Sequence, residues 1–174
     1  PRDWSSDVCS SDLDAPSKYA LPAREQTLAE YLKPLGYTCA HFGKWHLGDF
    51  TGSKRSAPTD NGFDEFFSTT RKVATVDPDG YWTAAGRVRA PLEGDDSRIL
   101  MDAAVDFIER AAARRQPFFA VIWFHAPHEP VVASERHRAP YTQYPGKPEN
   151  YYGALASLDE QMGRLRETLR YLKI

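Results

Sequence analysis

Two short stretches hold most of the residues in this sequence that could perform chemistry. Residues 41–50 read HFGKWHLGDF, and residues 125–130 read HAPHEP. Lys44 and His46 are two positions apart, so in an extended segment both side chains project to the same side. A lysine supplies a fixed positive charge for an anion, and a nearby imidazole transfers protons near neutral pH. The pattern is typical of an oxyanion-binding site.

A simpler interpretation of the first stretch stays open. In a surface turn between Gly43 and Gly48, Lys44 would be solvated and His46 would bond to the backbone. Neither His41 nor the more distant His137 fits a site by its position, and we interpret both as structural or surface residues.

The second stretch has two interpretations as well. Pro127 and Pro130 exclude a regular helix and therefore a helical zinc motif. In the functional interpretation, one imidazole, His128, points into a cleft as a proton donor. In the other, both histidines are strand-end residues satisfied by the backbone, which we favour for His125. Glu129 could be a ligand, but a carboxylate in an exposed, proline-bounded loop is more simply solvated.

The elements that must position these residues are readable from hydrophobic periodicity. Thr27 and Glu30 have capping-box spacing, and a helix face follows that ends near Gly36. A short strand is predicted over 37–42, and residues 51–94 are predicted to be irregular with one small hairpin. The residues of the first helix face are Leu28, Tyr31, Leu32 and Leu35.

A second helix is predicted from Asp95–Ser97, followed by an apolar strand, 118–124, that we expect to be covered on both faces. Asn150 is the predicted N-cap of a long third helix whose apolar stripe we expect to pack on the sheet. The buried face of the second helix comprises Leu100, Ala104, Phe107, Ile108 and Ala111. The stripe of the third comprises Tyr151, Leu155, Leu158, Met162, Leu165, Leu169 and Leu172.

This order of elements predicts an α/β sandwich with a mostly parallel sheet flanked by helices. Ligands of such sheets bind beyond the carboxyl ends of the strands, where both polar stretches fall. The 174 residues carry a formal net charge of −2, so no basic excess indicates a nucleic-acid partner. No apolar run reaches the roughly 18–20 residues of a membrane-spanning helix.

Two further segments complete the sequence-based expectations. Residues 1–13 include Cys9 and have no clear period, so we interpret them as a non-native leader before a partial catalytic domain over 14–174. Cys39 is predicted to be a small core residue. Tyr81, Trp82 and the tyrosine-rich loop 141–152 could stack on sugar rings, although loop aromatics more often pack locally.

The sequence resembles the sulfatase family of the alkaline-phosphatase-like superfamily from about Leu21 to Leu172. The likeness is carried by GKWHLG at 43–48, NGFDEFF at 61–67, HAPHEP at 125–130 and YYGALASLDEQMGRLRETL at 151–169. It implies a partial alkaline-phosphatase-like sandwich and a sulfuric-ester hydrolase with a formylglycine nucleophile and calcium. It also implies a periplasmic, extracellular or lysosomal location.

By this resemblance, Lys44 matches the lysine that binds a sulfate oxygen and the formylglycine. His46 matches the histidine that helps the sulfated intermediate collapse to aldehyde and free sulfate. His128 matches the histidine that contacts the ester oxygen and assists the leaving group. The implied substrate is a small-molecule or carbohydrate sulfate ester, bound by Lys44 and His128.

The departures from the family pattern matter equally. The nucleophile motif C/S-x-P-x-R is absent, and Cys9 in CSSDL lacks both its proline and its arginine. The paired aspartates that hold the metal are missing, so no metal ligand is assigned to this chain. We therefore expect an inactive internal fragment. A phosphodiesterase or phosphonate hydrolase of the same superfamily, or a non-catalytic binding module, remains an alternative.

Overall fold

The computed structural model describes residues 20–53 and 55–174. The suggested leader and Cys9 lie outside these residues. The strands are β1 Thr38–Lys44, β2 Glu65–Thr69, β3 Trp82–Thr83, β4 Gly86–Arg87 and β5 Phe118–Trp123. The helices are α1 Leu28–Leu32, α2 Asp96–Ala113, α3 Glu135–Arg138 and α4 Lys147–Leu172, with 3-10 helices at Lys33–Leu35, Pro58–Asn61 and Ala139–Tyr141.

Strand β1 lies at the centre of a sheet with the order β4-β3-β2-β1-β5. It pairs in parallel with β2 on one side and with β5 on the other, and β3 and β4 add an antiparallel hairpin beside β2. The predicted mostly parallel sheet is confirmed, as is a hairpin within 51–94. The prediction that the rest of 51–94 is irregular was wrong, because Glu65–Thr69 forms the parallel strand β2 beside β1. Strand β1 continues beyond the predicted 37–42, so that Lys44 is its last residue.

Apolar side chains cover both faces of the sheet around β1. Ala40 and Phe42 pack with the predicted face of α2, where all five residues are buried. Cys39 is fully buried among the aromatic residues on the opposite face, which confirms its expected place in the core. Burial raises the pKa of this thiol, which makes it a poor nucleophile.

The first helix confirms its capping but not its predicted face. The Thr27 hydroxyl accepts from the Glu30 backbone N–H and the Glu30 carboxylate accepts from the Thr27 N–H, as expected for a capping box. Ala29 is the buried residue, because the backbone of α1 approaches Gly62 so closely that a Cβ there would lie 2.5 Å from the Glu30 nitrogen. Three of the four predicted face residues are exposed, namely Leu28, Tyr31 and Leu35.

The apolar run 118–124 forms a strand as predicted, but the expectation that this strand is covered on both faces was wrong. Strand β5 lies at an edge of the sheet formed by the described residues, and the side chains of 118–122 are half-buried. Trp123, its last residue, is 46% exposed. A strand with a neighbour on one side only receives less cover than a central strand, so a continuous apolar run did not establish burial.

Helix α4 also differs from its prediction in start and packing. It begins at Lys147, and Asn150 lies within its first turns, where its Oδ1 accepts from the Ala133 N–H at 3.0 Å. The helix packs against α2 and α3 rather than the sheet. Small and polar residues face inward: Gly153, Ala154, Ser157 and Gln161. Of the predicted stripe, Tyr151, Leu155 and Met162 are exposed, whereas Leu165, Leu169 and Leu172 reach the core.

Within residues 20–53 and 55–174, no helix combines the length and hydropathy of a membrane-spanning segment.

Candidate active site

The three parallel strands end side by side, and we call this end of the sheet its carboxyl edge. Strand β1 ends at Lys44, β2 at Thr69 and β5 at Trp123. Lys44 and Thr69 are register partners, and Gly43 is the partner of Trp123. The polar stretches after β1 and β5 therefore leave the sheet at this shared edge, as the sequence predicted.

Glycine is required at the end of β1 for two reasons. Gly43 has φ +99°, and a Cβ there would lie 1.9 Å from the carbonyl oxygen of Trp123. The missing side chain lets β1 and β5 approach each other directly before the candidate lysine. The next residue but one, Trp45, is buried and donates its indole N–H to the Ser56 carbonyl oxygen at 2.6 Å, which fixes the loop after β1.

The local geometry at His46 departs from the extended segment assumed from the sequence. His46 has φ +52°, a left-handed conformation that is uncommon for a residue with a side chain. The rule that alternate side chains of an extended segment project to the same side therefore does not apply to Lys44 and His46. Both residues are half-buried, and Lys44 forms no ion pair with another described residue. The ammonium of Lys44 remains available to an anion.

His125 is held by side chains, not by the backbone as expected. Its Nε2 donates to Thr69 Oγ1 at 2.8 Å, because the Thr69 hydroxyl gives its own hydrogen to the Arg71 carbonyl oxygen at 2.5 Å. Its Nδ1 lies 2.9 Å from Asp96 Oδ2. His125, Thr69 and Asp96 are all buried, so this Thr–His–Asp chain is a structural network that solvent does not reach.

Tyr81 completes the network and does not stack on a ligand. Its ring is fully buried and lies parallel to Phe67, with 4.3 Å between ring centroids. Burial, reinforced by the neighbouring Asp96 carboxylate, raises the pKa of Tyr81, so the phenol keeps its proton and donates to Asp96 Oδ1 at 2.5 Å. The possibility of sugar stacking by Tyr81 is therefore wrong.

The network anchors the loop that carries His128. The backbone N–H of His128 donates to the carbonyl oxygen of His125 at 2.8 Å. The His128 Nδ1 donates to the Glu129 carbonyl oxygen at 2.7 Å, and the Lys72 ammonium donates to that same oxygen at 3.0 Å. A carbonyl can only accept, so Nδ1 carries a hydrogen and Nε2 is the nitrogen that exchanges protons.

Sequence reasoning missed Asp96, Thr69 and Lys72. The sequence analysis placed Asp96 only within the start of α2 and gave its side chain no role, and the adjacent Asp95 is the N-cap. Thr69 ends β2 and Lys72 follows it, within the stretch 51–94 that was predicted to be irregular, where no periodicity marks either residue. The pair of acidic residues at the start of α2 was the one available signal.

The remaining titratable candidates are structural, as expected. His41 is fully buried, and its Nδ1 lies 2.7 Å from Ser68 Oγ. Burial lowers the pKa of His41 to about 3. His137 contacts Glu160 Oε2 at 3.0 Å and Asp95 Oδ2 at 3.5 Å, which joins α3 to α4 and α2. The Glu129 carboxylate is exposed, 3.7 Å from the Lys147 ammonium.

The described residues do not fit a calcium site. No group of three or more His, Cys, Asp or Glu side chains within 20–53 and 55–174 is arranged to hold a metal ion. Asp95 and Asp96 begin α2 together, but Asp96 is engaged by Tyr81 and His125, and Asp95 accepts from Ser157 Oγ at 2.6 Å. Their carboxylate oxygens are therefore engaged by other side chains of the protein.

The sheet, its flanking helices and the polar carboxyl edge define an α/β protein with an alkaline-phosphatase-like fold. The sulfatase family model matches residues 10–173, and the chain belongs to the sulfatase family.

Two curated relatives and one solved structure illustrate this membership. The chain is 32% identical to the N-acetylgalactosamine-6-sulfatase of Sus scrofa, over 88% of this chain and 31% of that protein. It is 32% identical to the arylsulfatase of Klebsiella aerogenes, over 79% of this chain and 32% of that protein. Its fold is similar to that of Ps i-CgsB in complex with k-i-k-neocarrahexaose, with a TM-score of 0.77, 21% identity and coverage of 92% and 39%. The chain thus spans about a third of the length of these curated relatives.

Proposed function

We propose that this chain is part of a sulfuric-ester hydrolase and supplies its Lys44, His46 and His128 to the active site. The observation that carries the proposal is the position of GKWHLG and HAPHEP at the carboxyl ends of two paired parallel strands, β1 and β5, in a member of the sulfatase family. The convergence of the three side chains on one pocket is a prediction of this proposal.

Each side chain has a defined electrostatic task. The sulfuryl group is anionic, and charge accumulates on the bridging oxygen as the sulfur–oxygen bond to the alcohol breaks. Lys44, which forms no ion pair within the described part of the chain, neutralises a sulfate oxygen. His128 donates a proton from Nε2 to the departing alkoxide, while its Nδ1 stays bound to the Glu129 carbonyl oxygen. His46 accepts a proton as free sulfate is released.

The nucleophile and the metal of the proposed enzyme are not assigned to the described residues. The resemblance implies a formylglycine nucleophile and calcium, and the described residues do not fit the metal. We therefore place both outside residues 20–53 and 55–174 and derive no step through either. We expect the 174-residue chain alone to release no sulfate. A periplasmic, extracellular or lysosomal location belongs to the same proposal.

For the substrate class we propose a carbohydrate sulfate. The support is chemical and comparative. A sugar alkoxide is a poor leaving group, so its departure needs a proton donor such as His128. Among similar proteins, the N-acetylgalactosamine-6-sulfatase of Sus scrofa is named for a sulfated sugar, and Ps i-CgsB was crystallised in complex with k-i-k-neocarrahexaose.

The test compares two leaving groups in the complete sulfatase that we propose contains this chain. Lys44→Ala should lower kcat about a hundredfold or more on both 4-nitrophenyl sulfate and a sugar sulfate, because sulfate binding is common to both. His128→Ala should lower kcat about a hundredfold on the sugar sulfate and much less on 4-nitrophenyl sulfate, because nitrophenolate departs without a proton. Sulfate release is measured by ion chromatography.

Lys33→Ala is the matched control. Lys33 is an exposed lysine that pairs with Asp64 at the amino-terminal edge of the sheet, so its removal should leave both rates unchanged. Near-normal turnover of both substrates by Lys44→Ala and His128→Ala would refute the assigned roles. Faster cleavage of 4-nitrophenyl phosphate than of the sulfate would replace the proposal with a phosphoester hydrolase.

A further inference from the structure

A cavity of about 490 Å³ lies beside the loop that carries His128. One wall is the segment directly after that histidine and the other is the first turns of α4. The volume falls within the roughly 300–1,000 Å³ of small-molecule sites. Its lining residues are Glu129, Pro130, Val131, Lys147, Pro148, Tyr151 and Tyr152.

The walls of this cavity are fixed by specific contacts. The Thr75 hydroxyl accepts from the Val132 N–H at 3.0 Å and donates to the Val132 carbonyl oxygen at 2.5 Å. Asn150 of α4 holds the Ala133 N–H, as described above. Gly153 permits the close packing of helix and loop, because a Cβ there would lie 2.6 Å from the Ala133 Cβ. The two walls are therefore preorganised relative to each other.

The aromatic wall is also held in place. Tyr152 contacts three other tyrosine rings, with centroids 5.6 Å away at Tyr141, 5.4 Å at Tyr144 and 6.1 Å at Tyr151. Tyr151 and Tyr152 remain 43% and 40% exposed. Rings fixed by their neighbours yet open to solvent bind a ligand with little loss of side-chain entropy.

The chemistry of the lining selects the kind of ligand. Tyrosine and proline rings of the lining present apolar surfaces to C–H groups, and the same lining includes tyrosine hydroxyls, the Glu129 carboxylate and the Lys147 ammonium as polar groups. A pyranose ring has the matching combination of an apolar face and a hydroxyl edge. The Glu129 carboxylate and the Lys147 ammonium lie 3.7 Å apart and balance each other, so the lining has no net charge to attract an anionic sugar.

We propose that this cavity binds a neutral pyranose next to the sulfated sugar of the substrate. The inference rests on the proposed function for the position of the reacting ester, which we place at His128. Glu129 lines the cavity and His128 does not, so the bound ring is a neighbour of the sugar that carries the ester. The enzyme accordingly acts on sulfated oligosaccharides in preference to sulfated monosaccharides.

The kinetic test uses the complete sulfatase with N-acetylgalactosamine 6-sulfate, either free or linked to a second, neutral pyranose. The disaccharide should have the higher kcat/KM, and Tyr152→Ala should lower kcat/KM for the disaccharide about tenfold, mainly through KM, while leaving the monosaccharide unchanged. Tyr171→Ala is the matched control, because this tyrosine lies on the same helix but is 84% exposed and does not line the cavity. Equal loss on both substrates, or no preference in the unmodified enzyme, would overturn the subsite.

A binding measurement separates failure of the subsite from failure of the proposed function. The unsulfated disaccharide is tested by saturation-transfer NMR, which needs no chemistry. Transfer from aromatic protons to the sugar should occur in the unmodified protein and disappear in Tyr152→Ala. Binding of the unsulfated disaccharide, together with no sulfate release from either sulfated substrate, would support the cavity and refute the proposed hydrolysis of sugar sulfates. Absence of transfer in the unmodified protein would refute the cavity whatever the rates are.

Discussion

The buried imidazole of His41 should make the stability of this chain sensitive to mild acid. The Ser68 hydroxyl donates to the His41 carbonyl oxygen at 3.0 Å, so Ser68 Oγ accepts from the ring Nδ1–H at 2.7 Å. The other nitrogen, Nε2, is buried with no hydrogen-bond partner. The rings of Trp45, Phe63 and Trp123 lie nearly perpendicular to the His41 ring, with ring centroids 4.9–5.6 Å apart. A proton added at Nε2 would place a charge among apolar rings.

The direction of the effect follows from linkage. Burial lowers the pKa of His41 from 6.5 to about 3 in the folded state. Between these values the unfolded chain binds the proton and the folded chain does not, so the free energy of unfolding falls as the pH falls. One pKa unit corresponds to about 1.4 kcal/mol, so lowering the pH from about 7.5, where the unfolded imidazole is also mostly neutral, to about 4.5 should cost about 3 kcal/mol at this residue.

The contribution of His41 is isolated by comparing the unmodified chain with a variant at about pH 7.5 and about pH 4.5. The free energy of unfolding is measured by urea unfolding, followed by tryptophan fluorescence. His41→Phe removes the titration and retains a ring among the aromatic residues. Its loss of stability between the two pH values should be smaller by about 3 kcal/mol. His41→Gln, which retains a donor for Ser68, should show the same reduction and serves as a second variant.

Equal pH dependence of all three proteins would refute the reasoning. It would show that the surrounding rings stabilise the imidazolium through their π faces by about as much as burial destabilises it.

Two further predictions concern contacts that fix the candidate site, and both are measured by urea unfolding. Gly43→Ala should destabilise the chain by about 3 kcal/mol or more, because the new Cβ cannot fit beside the Trp123 carbonyl oxygen. The control, Gly36→Ala, should cost about 1–2 kcal/mol, because Gly36 has φ +87° but no atom lies within 4 Å of the position of the new Cβ. Similar losses in the two variants would contradict the close approach of β1 and β5. Tyr81→Phe should cost about 1–3 kcal/mol, because it leaves Asp96 Oδ1 without its donor, and a change below about 0.5 kcal/mol, as expected for exposed Tyr171→Phe, would contradict the network.

The sequence predicted the family, the fold and the edge of the sheet at which the polar stretches lie, and all three are confirmed. These inferences succeeded because they depend on local order. The capping box of α1, the apolar periodicity of α2 and the polar residues directly after a strand are properties of short segments. The shared pocket of Lys44, His46 and His128 follows from the same order and remains a prediction.

Helix faces were predicted less well, for an identifiable reason. Apolar periodicity shows which residues share a side of a helix, but not which side a neighbouring backbone approaches. In α1 the close approach of Gly62 turned Ala29 inward, and in α4 Gly153 did the same for a face of small residues. The apolar stripes were left partly exposed, and the stripe of α4 supplies Tyr151, one of the two tyrosines of the cavity.

By itself, the sequence determined which residue types follow which strands, and hence the kind of chemistry available at the carboxyl edge. Only the tertiary structure decided what holds those residues. The partners of His125 lie 56 residues away at Thr69 and 29 residues away at Asp96, and the walls of the cavity come from a loop and a helix start. Hydrogen bonds between segments so distant in the chain leave no periodic trace in the sequence, because they depend on where folding places the strand ends.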